Sequence, residues 1–274
     1  MGFADTVKPG TKVRLSKYPT DSTGKMSEKD ARAITGSYGM ELSDLQELLY
    51  AAGTHSLLVV LQGMDTSGKD GVVRGVFTHM NPQGVRVASF KVPTPLERAH
   101  DYLWRIHKET PERGMAVVFN RSHYECVLVE RVKEIAPEPV WKRRYEQINQ
   151  FEAMLACENT IIMKFFLHIS KDEQERRLVA REKDVTKAWK LSATDWIERR
   201  NWDAYQQAYE DALTKCSTDV APWIIVPADH KWYRDLVIAE AVRDRLMPFQ
   251  REWLETLEER GRLELAAVQA AKLE

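Results

Sequence analysis

Short apolar runs separated by segments of helical length fill most of the chain. The first, at residues 57–61, is an unbroken run of leucine and valine, and similar runs follow at 85–90, 115–119, 161–169 and 223–226. Unbroken apolar runs are typical of strands that are covered on both faces. Because the segments between them are long enough for helices, the pattern predicts an α/β fold with a parallel sheet of about five strands flanked by helices.

The two ends of the chain differ from this regular middle. Residues 1–40 are rich in Gly, Ser, Thr, Lys and Asp with weak periodicity, which predicts an extended or loosely packed N-terminal arm. Residues 41–274 are expected to form a single domain. Near its end, Trp253, Leu254 and Leu257 share one helical face, which predicts a C-terminal helix that packs on the domain or contacts another subunit.

Composition narrows the classes of function. Charged residues make up 30% of the 274 residues, yet the formal net charge is only −1. This balance argues against a general nucleic-acid or membrane surface, so any site for a polyanion must be local. No apolar run approaches the roughly 18 residues of a membrane span. The three cysteines are far apart in the sequence, which fits a reduced, cytoplasmic protein better than a disulfide framework or a zinc site.

A glycine-rich loop, residues 63–71, follows the first strand. It begins G-x-x-x-x-G-K between an apolar strand and a helical segment, which is the context that a phosphate-binding P-loop requires. Glycines let backbone N–H groups point at a phosphate, and Lys69 adds a point charge. Besides Lys69, the phosphate- or nucleotide-binding residues predicted here are Gly63, Met64, Thr66, Ser67, Gly68, Asp70 and Gly71.

Two acidic residues in the loop predict a cation. Position 70 is Asp, so the Ser or Thr hydroxyl that usually binds magnesium is missing, and Asp65 is a second carboxylate. Carboxylates beside a bound phosphate repel it unless a cation lies between them. The loop therefore predicts a magnesium cofactor, with Asp65 as a ligand or as the group that orients the acceptor. The alternative is a glycine-rich turn that binds nothing.

A second polar segment, residues 119–125, closes the third strand. It places Asn120, Arg121 and Glu125 at the carboxyl end of a central strand, where ligands bind in open α/β sheets. Arg121 is predicted to donate to phosphate oxygens, and Glu125 to hold metal or a neighbouring arginine. Asn120 is predicted to contact phosphate or nucleotide. The alternative makes Arg121 and Glu125 a structural ion pair that caps the next helix.

A dense basic stretch follows the fourth strand. It carries six basic residues against Glu182 and Asp184, an excess of four positive charges. A mobile basic lid at about 176–200 would exclude water and spread positive charge over a transferring phosphoryl group. The alternative is a solvated helix face. The basic residues are Arg176, Arg177, Arg181, Lys183, Lys187 and Lys190.

Together, these motifs resemble the polyphosphate kinase 2 family. The resemblance rests on GMDTSGKDG at 63–71, FNRSHYE at 119–125, KFFLHISKDEQERRL at 164–178 and APWIIVPADHKWYRDL at 221–236, and it covers about residues 40–247. It implies a fold similar to thymidylate kinase, dependence on magnesium, a lid, and inorganic polyphosphate as the phosphoryl donor to AMP or ADP.

The resemblance also implies roles for single residues. The catalytic set is Asp65, Lys69, Arg121 and Arg181, and the residues that line the polyphosphate path are Arg74, Arg177, Lys183 and Lys187. The segment FNRSHYE resembles the corresponding segment of the branch often called class III, which phosphorylates both AMP and ADP. This chain has Asn120 where many members have Asp, and Cys126 where that branch has an acid.

The motifs leave two other functions open. An ordinary nucleotide kinase that takes phosphate from ATP would use the same loop but needs a pocket for a second adenine. A polyanion-binding protein without catalysis would bind polyphosphate and not turn it over. We expect an enzyme that acts on polyphosphate and adenine nucleotides, has no nucleic-acid or membrane partner, and forms a homo-oligomer.

Overall fold

The core of the protein is a six-stranded sheet. The computed structural model describes Phe3 and residues 5–190 and 192–272, except for the side chains of Lys187, Ala188 and Lys190. The strands are β1 (Asp5–Thr6), β2 (Ser56–Gln62), β3 (Val85–Ser89), β4 (Ala116–Asn120), β5 (Thr160–His168) and β6 (Trp223–Pro227), in the order β1-β6-β5-β2-β4-β3.

The predicted strands are confirmed as a parallel sheet. β2 lies at the centre, paired in parallel with β4 through Leu57 and Ala116 and with β5 through Leu57 and Ile161. Every residue of β2 and β5 is buried, which accounts for their unbroken apolar runs. The two-residue β1, which pairs antiparallel with β6, was not predicted. Strands this short have no periodicity to detect.

Two groups of helices flank the sheet. One group contains α1 (Glu28–Ala52), α2 (Lys69–Gly75), α10 (Lys231–Leu246) and α11 (Gln250–Ala271). The other contains α5 (Val129–Val132), α6 (Glu138–Cys157) and α9 (Trp202–Lys215). Two short helices, α3 (Pro95–Arg98) and α4 (Trp104–His107), follow β3, while α7 (Lys171–Glu182) and α8 (Ala193–Arg199) follow β5.

The N-terminal arm is shorter and more firmly packed than predicted. Helix α1 begins at Glu28 and runs through position 40, with the Ser27 side chain accepting the amide N–H of Asp30. The expectation of an extended arm to residue 40 is therefore wrong beyond residue 27. Before the helix, Val13 and Leu15 are buried, and the carbonyl of Val7 accepts the Ser217 hydroxyl at 2.6 Å. This arm closes the β6 edge of the sheet.

The C-terminal helix α11 packs on the domain through its first half, where Arg260 donates to the carbonyls of Ala51 and Ala52 at 2.7 and 3.0 Å. Trp253 is fully buried and donates its indole N–H to His55 Nδ1 at 3.2 Å, which anchors the first turn. Later in the helix, Leu263, Leu265 and Val268 are exposed. In the described part of the chain, none of the helices is long and apolar enough to span a lipid bilayer.

Candidate functional site

The glycine-rich loop connects β2 to α2 through a backbone that needs glycine at two points. Gly68 has φ 101°, and Gly63 has φ 154°. A Cβ added at Gly63 would lie 2.7 Å from the carbonyl oxygen of Leu167 on β5. A side chain at either position would strain or displace the loop. The loop therefore lies directly on the carboxyl ends of β2 and β5.

Lys69, the first residue of α2, turns back into the loop. Its ammonium donates to the carbonyl of Gly63 at 2.8 Å and to that of Met64 at 3.3 Å. Burial, assisted by the positive charge of Arg121, lowers the pKa of Lys69 to about 8. An anion bound in the loop would favour the charged ammonium and raise this pKa again.

Arg121, at the end of β4, joins two carboxylates. It donates from Nη2 to Asp65 at 2.9 Å and from Nη1 to Glu125 at 3.0 Å. The negative charge of Glu125, more than that of Asp65, raises the pKa of Arg121 above its ordinary value. The structure thus brings together Asp65, Arg121 and Glu125 as predicted, although they lie 56 and 4 residues apart in the chain.

The two carboxylates fit a magnesium ion that also binds phosphate. Each gives one oxygen to Arg121, and the second oxygen of each has no hydrogen bond among the described residues. Over those same residues, no group of three or more His, Cys, Asp or Glu side chains is arranged to hold a metal by itself. Magnesium is commonly bound by one or two carboxylates together with substrate phosphates, which is the number of acids found here.

Asn120 and Asp70 pair with each other. The Asn120 amide donates to the Asp70 carboxylate at 2.7 Å across the start of α2. The neutral amide thus satisfies an acid that a carboxylate at position 120 would repel. The two unusual residues of the sequence are partners.

Hydroxyl groups of the loop lack partners. Thr66 Oγ1 and Ser67 Oγ are buried, and neither has a hydrogen-bond partner among the described residues. Buried polar groups are almost always satisfied, and an exception calls for an explanation such as a bound polar ligand. Of the two residues, Thr66 lines the cavity described below, so its unpartnered hydroxyl indicates a place for a polar ligand on the loop.

Arg177, on α7, lines the cavity described below and also braces the loop. Its Nη1 donates to the carbonyls of Thr66 and Ser67, at 2.9 and 3.0 Å. Its Nη2 donates to the carbonyls of Ala228 and Asp229, and its Nε donates to Glu173. All five N–H groups therefore have partners within the protein, so the predicted contact of Arg177 with polyphosphate stays a prediction.

The predicted lid consists of α7, a 3-10 turn at Val185–Lys190, and α8. Arg181 on α7 donates to Asp195 on α8 at 3.0 Å, which joins its two helices. Burial and the nearby charge of Asp65 raise the pKa of Asp195. Lys183 is exposed at the end of α7. The side chains of Lys187 and Lys190 lie outside the described residues, so their predicted roles stay predictions.

A cavity of about 820 Å³ connects these groups. The described residues that line it include eight basic and three acidic side chains, a local positive excess in a chain with a net charge of −1. The basic residues are Lys69, Arg74, Lys91, Arg121, Arg177, Arg181, Lys231 and Arg234, and the acidic residues are Asp65, Asp70 and Asp195. Such a cavity attracts a polyanion and focuses its charge on the loop.

The other predicted residues lie around this cavity. Thr66, Gly68, Gly71 and Asn120 line it as well. Gly63, Met64 and Glu125 line a small neighbouring pocket that shares Asp65 and Arg121 with the cavity. Ser67 is fully buried behind the loop.

Several lining residues were missed by the sequence analysis. Lys91 follows β3, and Lys231 and Arg234 follow β6. Their positions after parallel strands were a usable signal, because ligands bind at the carboxyl ends of such strands. Asp195 and Trp189 carried no comparable signal, since they reach the cavity only through the folding of α7 and α8.

Cys126 does not belong to the site. Its side chain is buried in the core beside Arg144, and burial raises the pKa of the thiol far above its ordinary value. A neutral buried thiol neither binds magnesium nor disturbs the carboxylate next to it in the chain.

Comparisons with known proteins agree with this geometry. A family model described as polyphosphate kinase 2 matches residues 25–252. The chain is 50% identical over 245 residues to the AMP/ADP-polyphosphate phosphotransferase of Meiothermus ruber, covering 88% of this chain and 91% of that one. It is 41% identical over 263 residues to the ADP-polyphosphate phosphotransferase of Rhodopseudomonas palustris, covering 91% of each.

A solved structure has the same fold. The crystal structure of polyphosphate kinase 2 from Arthrobacter aurescens superposes with a TM-score of 0.85 at 41% sequence identity, covering 91% of this chain and 93% of that one. With a family match over most of the chain and relatives of nearly full length, the outcome is unambiguous. The protein belongs to the polyphosphate kinase 2 family.

Proposed function

We propose that this protein transfers the terminal phosphoryl group of inorganic polyphosphate to AMP and to ADP, forming ADP and ATP. The observation that carries the proposal is the cavity on the glycine-rich loop, where eight basic side chains face three acidic ones. Family membership and the names of the relatives at 50% and 41% identity support the reaction class.

The donor follows from the lining of the cavity. A second adenine, as in ATP, needs an apolar or aromatic slot, whereas polyphosphate needs only repeated positive charge. Among the described lining residues, basic side chains outnumber the two aromatic ones, Phe90 and Trp189. This composition favours polyphosphate over ATP as the donor.

Three cations surround the place of transfer. Lys69 and Arg121 line the cavity together with Asp65, which accepts from Arg121, and Arg181 faces the same cavity from the predicted lid. In phosphoryl transfer, catalysis is mostly positioning and stabilisation of charge on the phosphoryl oxygens. We assign this stabilisation to Lys69, Arg121 and Arg181, and we assign orientation of the acceptor oxygen to Asp65.

Magnesium is part of the proposal. Asp65 and Glu125 would hold it together with phosphate oxygens, and when bound it would neutralise charge on the phosphates. Release of Asp65 from Arg121 frees both partners, the carboxylate for the ion and the guanidinium for the phosphoryl group. The ion pair at 2.9 Å is then a resting arrangement that substrate replaces.

The acceptor range rests on the relatives. The Meiothermus ruber relative is named for AMP and ADP, whereas the Rhodopseudomonas palustris relative is named for ADP alone. We propose dual acceptance for this chain because its identity to the first is higher and because FNRSHYE is similar to the branch that uses both.

A comparison of donors tests the proposal. Purified protein receives magnesium and AMP with either long-chain polyphosphate or ATP, and nucleotides are separated over time. We expect ADP and then ATP with polyphosphate, and much slower ADP formation from AMP and ATP. Faster transfer from ATP would make the protein an ordinary nucleotide kinase, and binding of polyphosphate without any product would make it a non-catalytic polyanion-binding protein.

We also propose that the protein self-associates through α11. Leu265 and Val268 are 58% and 46% exposed on this helix, and because they are three residues apart they lie on one face that could contact another subunit. Light scattering of the purified protein, and of a Leu265→Glu variant, tests this. A cytoplasmic location and the absence of a nucleic-acid partner stay predictions.

A further inference from the structure

One arginine beside the loop has no part in the roles assigned so far. Arg234, in the first turn of α10, is only 2% exposed. Its Nε and Nη2 donate to Asp235 Oδ1 at 2.9 and 2.7 Å, but Nη1 has no hydrogen-bond partner among the described residues. A buried cationic N–H group without a partner is costly, so its retention calls for a ligand.

The unpartnered group points at the glycine-rich loop. A Cβ added at Gly68 would lie 2.0 Å from Arg234 Nη1, and one at Gly71 would lie 3.0 Å from Nη2. One turn further along α2, a Cβ at Gly75 would lie 2.6 Å from Asp235. The glycines therefore make room for the Arg234–Asp235 pair against α2.

The surroundings of Arg234 carry excess positive charge. The guanidinium of Arg177 also approaches Gly68, and its charge, after the effect of burial, contributes to lowering the pKa of Arg234. Arg177 has used its donors on four carbonyls and on the Glu173 carboxylate, whereas the two N–H groups of Arg234 Nη1 have no partner among the described residues. Two positive charges thus lie side by side at the cavity, and one of them carries unpartnered N–H donors, which is an arrangement suited to binding an anion.

We propose that Arg234, through Nη1, binds a phosphate of the polyphosphate donor other than the one that is transferred. The inference rests on the proposed function. Arg121 pairs with Asp65 near the start of the loop, and Arg234 lies at Gly68 near its end. A linear donor whose terminal phosphate reaches Arg121 passes Gly68 with one of the phosphates that follow. Arg234 then sets affinity for the donor and leaves the acceptor unaffected.

The same helix offers a matched control. Arg243 donates from Nε to Asp244 at 2.8 Å, the same arrangement with the next residue that Arg234 has, but it lies on the ring of Tyr38 far along α10 from the loop. Variants Arg234→Met and Arg234→Lys are compared with Arg243→Met. KM values for polyphosphate and for AMP are measured separately, together with the shift in Tm caused by tripolyphosphate without acceptor.

Arg234→Met is expected to raise KM for polyphosphate by about 10- to 100-fold, the usual effect of losing a hydrogen bond to a charged group. KM for AMP should stay within about twofold, as expected for a site that makes no contact with the acceptor. The shift in Tm caused by tripolyphosphate should largely vanish, while Arg243→Met should match the wild type in all three measurements.

An unchanged KM for polyphosphate, or equal rises for polyphosphate and AMP, would overturn the proposal. If Arg234→Met does not fold, Arg234→Lys decides, because its ammonium cannot serve both Asp235 and a phosphate over Gly68. A folded Arg234→Lys protein with the wild-type KM would also overturn it. The tripolyphosphate shift needs no turnover, so failure of Arg234 is distinguishable from failure of the proposed function.

Discussion

Residues 119–125 contribute side chains to two regions that use charge in opposite ways. Arg121 and Glu125 join Asp65 and Lys69 in what we call the open cluster, which borders the cavity and its neighbouring pocket. From the same segment, His123 and Tyr124 join Glu152 and Lys164 in what we call the buried cluster, whose histidine, glutamate and lysine side chains have no exposed surface.

The buried cluster is almost fully satisfied by the protein. Lys164 donates to Glu152 and to the carbonyl of Cys216, both at 2.6 Å, and to the Tyr124 hydroxyl at 2.8 Å. Burial raises the pKa of Glu152, but the charge of Lys164 and the hydrogen bond with His123 outweigh it, so the pKa lies below its ordinary value. His123 Nδ1 is the one atom of this group without a partner among the described residues.

The open cluster keeps groups in reserve. One carboxylate oxygen of Asp65 and one of Glu125 have no hydrogen bond among the described residues, and the Lys69 ammonium is held only by the neutral carbonyls of Gly63 and Met64. Charge alone therefore does not mark the functional site. The functional site is marked by charged groups that lie next to a cavity and lack some of their hydrogen-bond partners. Charged groups that are buried and fully hydrogen-bonded stabilise the fold.

Breaking the buried cluster should cause the largest effect on stability. Glu152→Gln leaves Lys164 without its counter-charge, and removing one partner of a buried ion pair commonly costs about 3 to 5 kcal/mol. We expect a loss of this size in the free energy of unfolding, measured with urea. Activity per folded molecule should stay near normal.

Glu146→Gln is the matched control, since Glu146 is exposed on the same helix α6. Its free energy of unfolding should lie within about 0.5 kcal/mol of the wild type. If Glu152→Gln is equally mild, the two clusters do not differ as described.

Substitutions in the open cluster should lower activity strongly and stability only slightly. Lys69→Ala and Asp65→Asn are expected to lower kcat by about 10²- to 10³-fold, since each removes a group that acts on charge in the transition state. Stability should change little, because both residues line the cavity. Initial rates with polyphosphate and AMP, together with urea unfolding, measure both effects, and Lys142→Ala serves as an exposed lysine control. Near-normal activity in folded Asp65→Asn would remove Asp65 from the mechanism.

The sequence predicted the sheet and the open cluster because both depend on local signals. Unbroken apolar runs identify buried parallel strands, and the glycine-rich loop joins its lysine and acid within seven residues. Because ligands bind at the carboxyl ends of parallel strands, Arg121 and Glu125 could be predicted to lie near the loop.

Other features depend on distant contacts that no local pattern reveals. The start of α1 was missed because Gly36 and Gly39 interrupt its pattern, yet Gly39 is required where a Cβ would lie 2.7 Å from the His79 ring. The bracing role of Arg177 was missed because its partners include backbone carbonyls at 66–67 and 228–229, and no sequence pattern indicates such contacts. The burial of Cys126 and the pairing of Asn120 with Asp70 are likewise consequences of tertiary packing.

A moderate effect of pH on activity should follow from the lowered pKa of Lys69. With a pKa of about 8, the Lys69 ammonium is charged below pH 8 and loses its proton as the pH rises through that value. If only the charged form binds the donor, kcat/KM for polyphosphate should fall above pH 8 by about tenfold per pH unit.

Calorimetry in buffers of different ionisation enthalpy provides a second readout. Binding of polyphosphate at pH 8.5 should take up a proton in the wild type. In Lys69→Arg, the guanidinium stays charged, so both the fall above pH 8 and the proton uptake should be absent. A wild-type profile that is flat to pH 9.5 would contradict this role of burial.

The smallest effect should come from the exposed part of the lid. Lys183 lies on the surface at the end of α7 and does not line the cavity, so Lys183→Ala should change KM for polyphosphate by no more than about twofold. Arg181→Ala should raise it further and lower kcat, since Arg181 lines the cavity. Larger losses for Lys183 than for Arg181 would show that the lid closes in another arrangement.

The most direct test supplies ADP alone. Purified protein with magnesium and ADP is followed by ³¹P NMR, with and without long-chain polyphosphate, and a parallel sample starts from AMP. The account predicts ATP from ADP only when polyphosphate is present, and, from AMP, ADP first with ATP lagging behind. If ADP with polyphosphate never yields ATP while AMP is still converted to ADP, the protein is specific for AMP, and if neither acceptor is phosphorylated, the account of the open cluster is wrong.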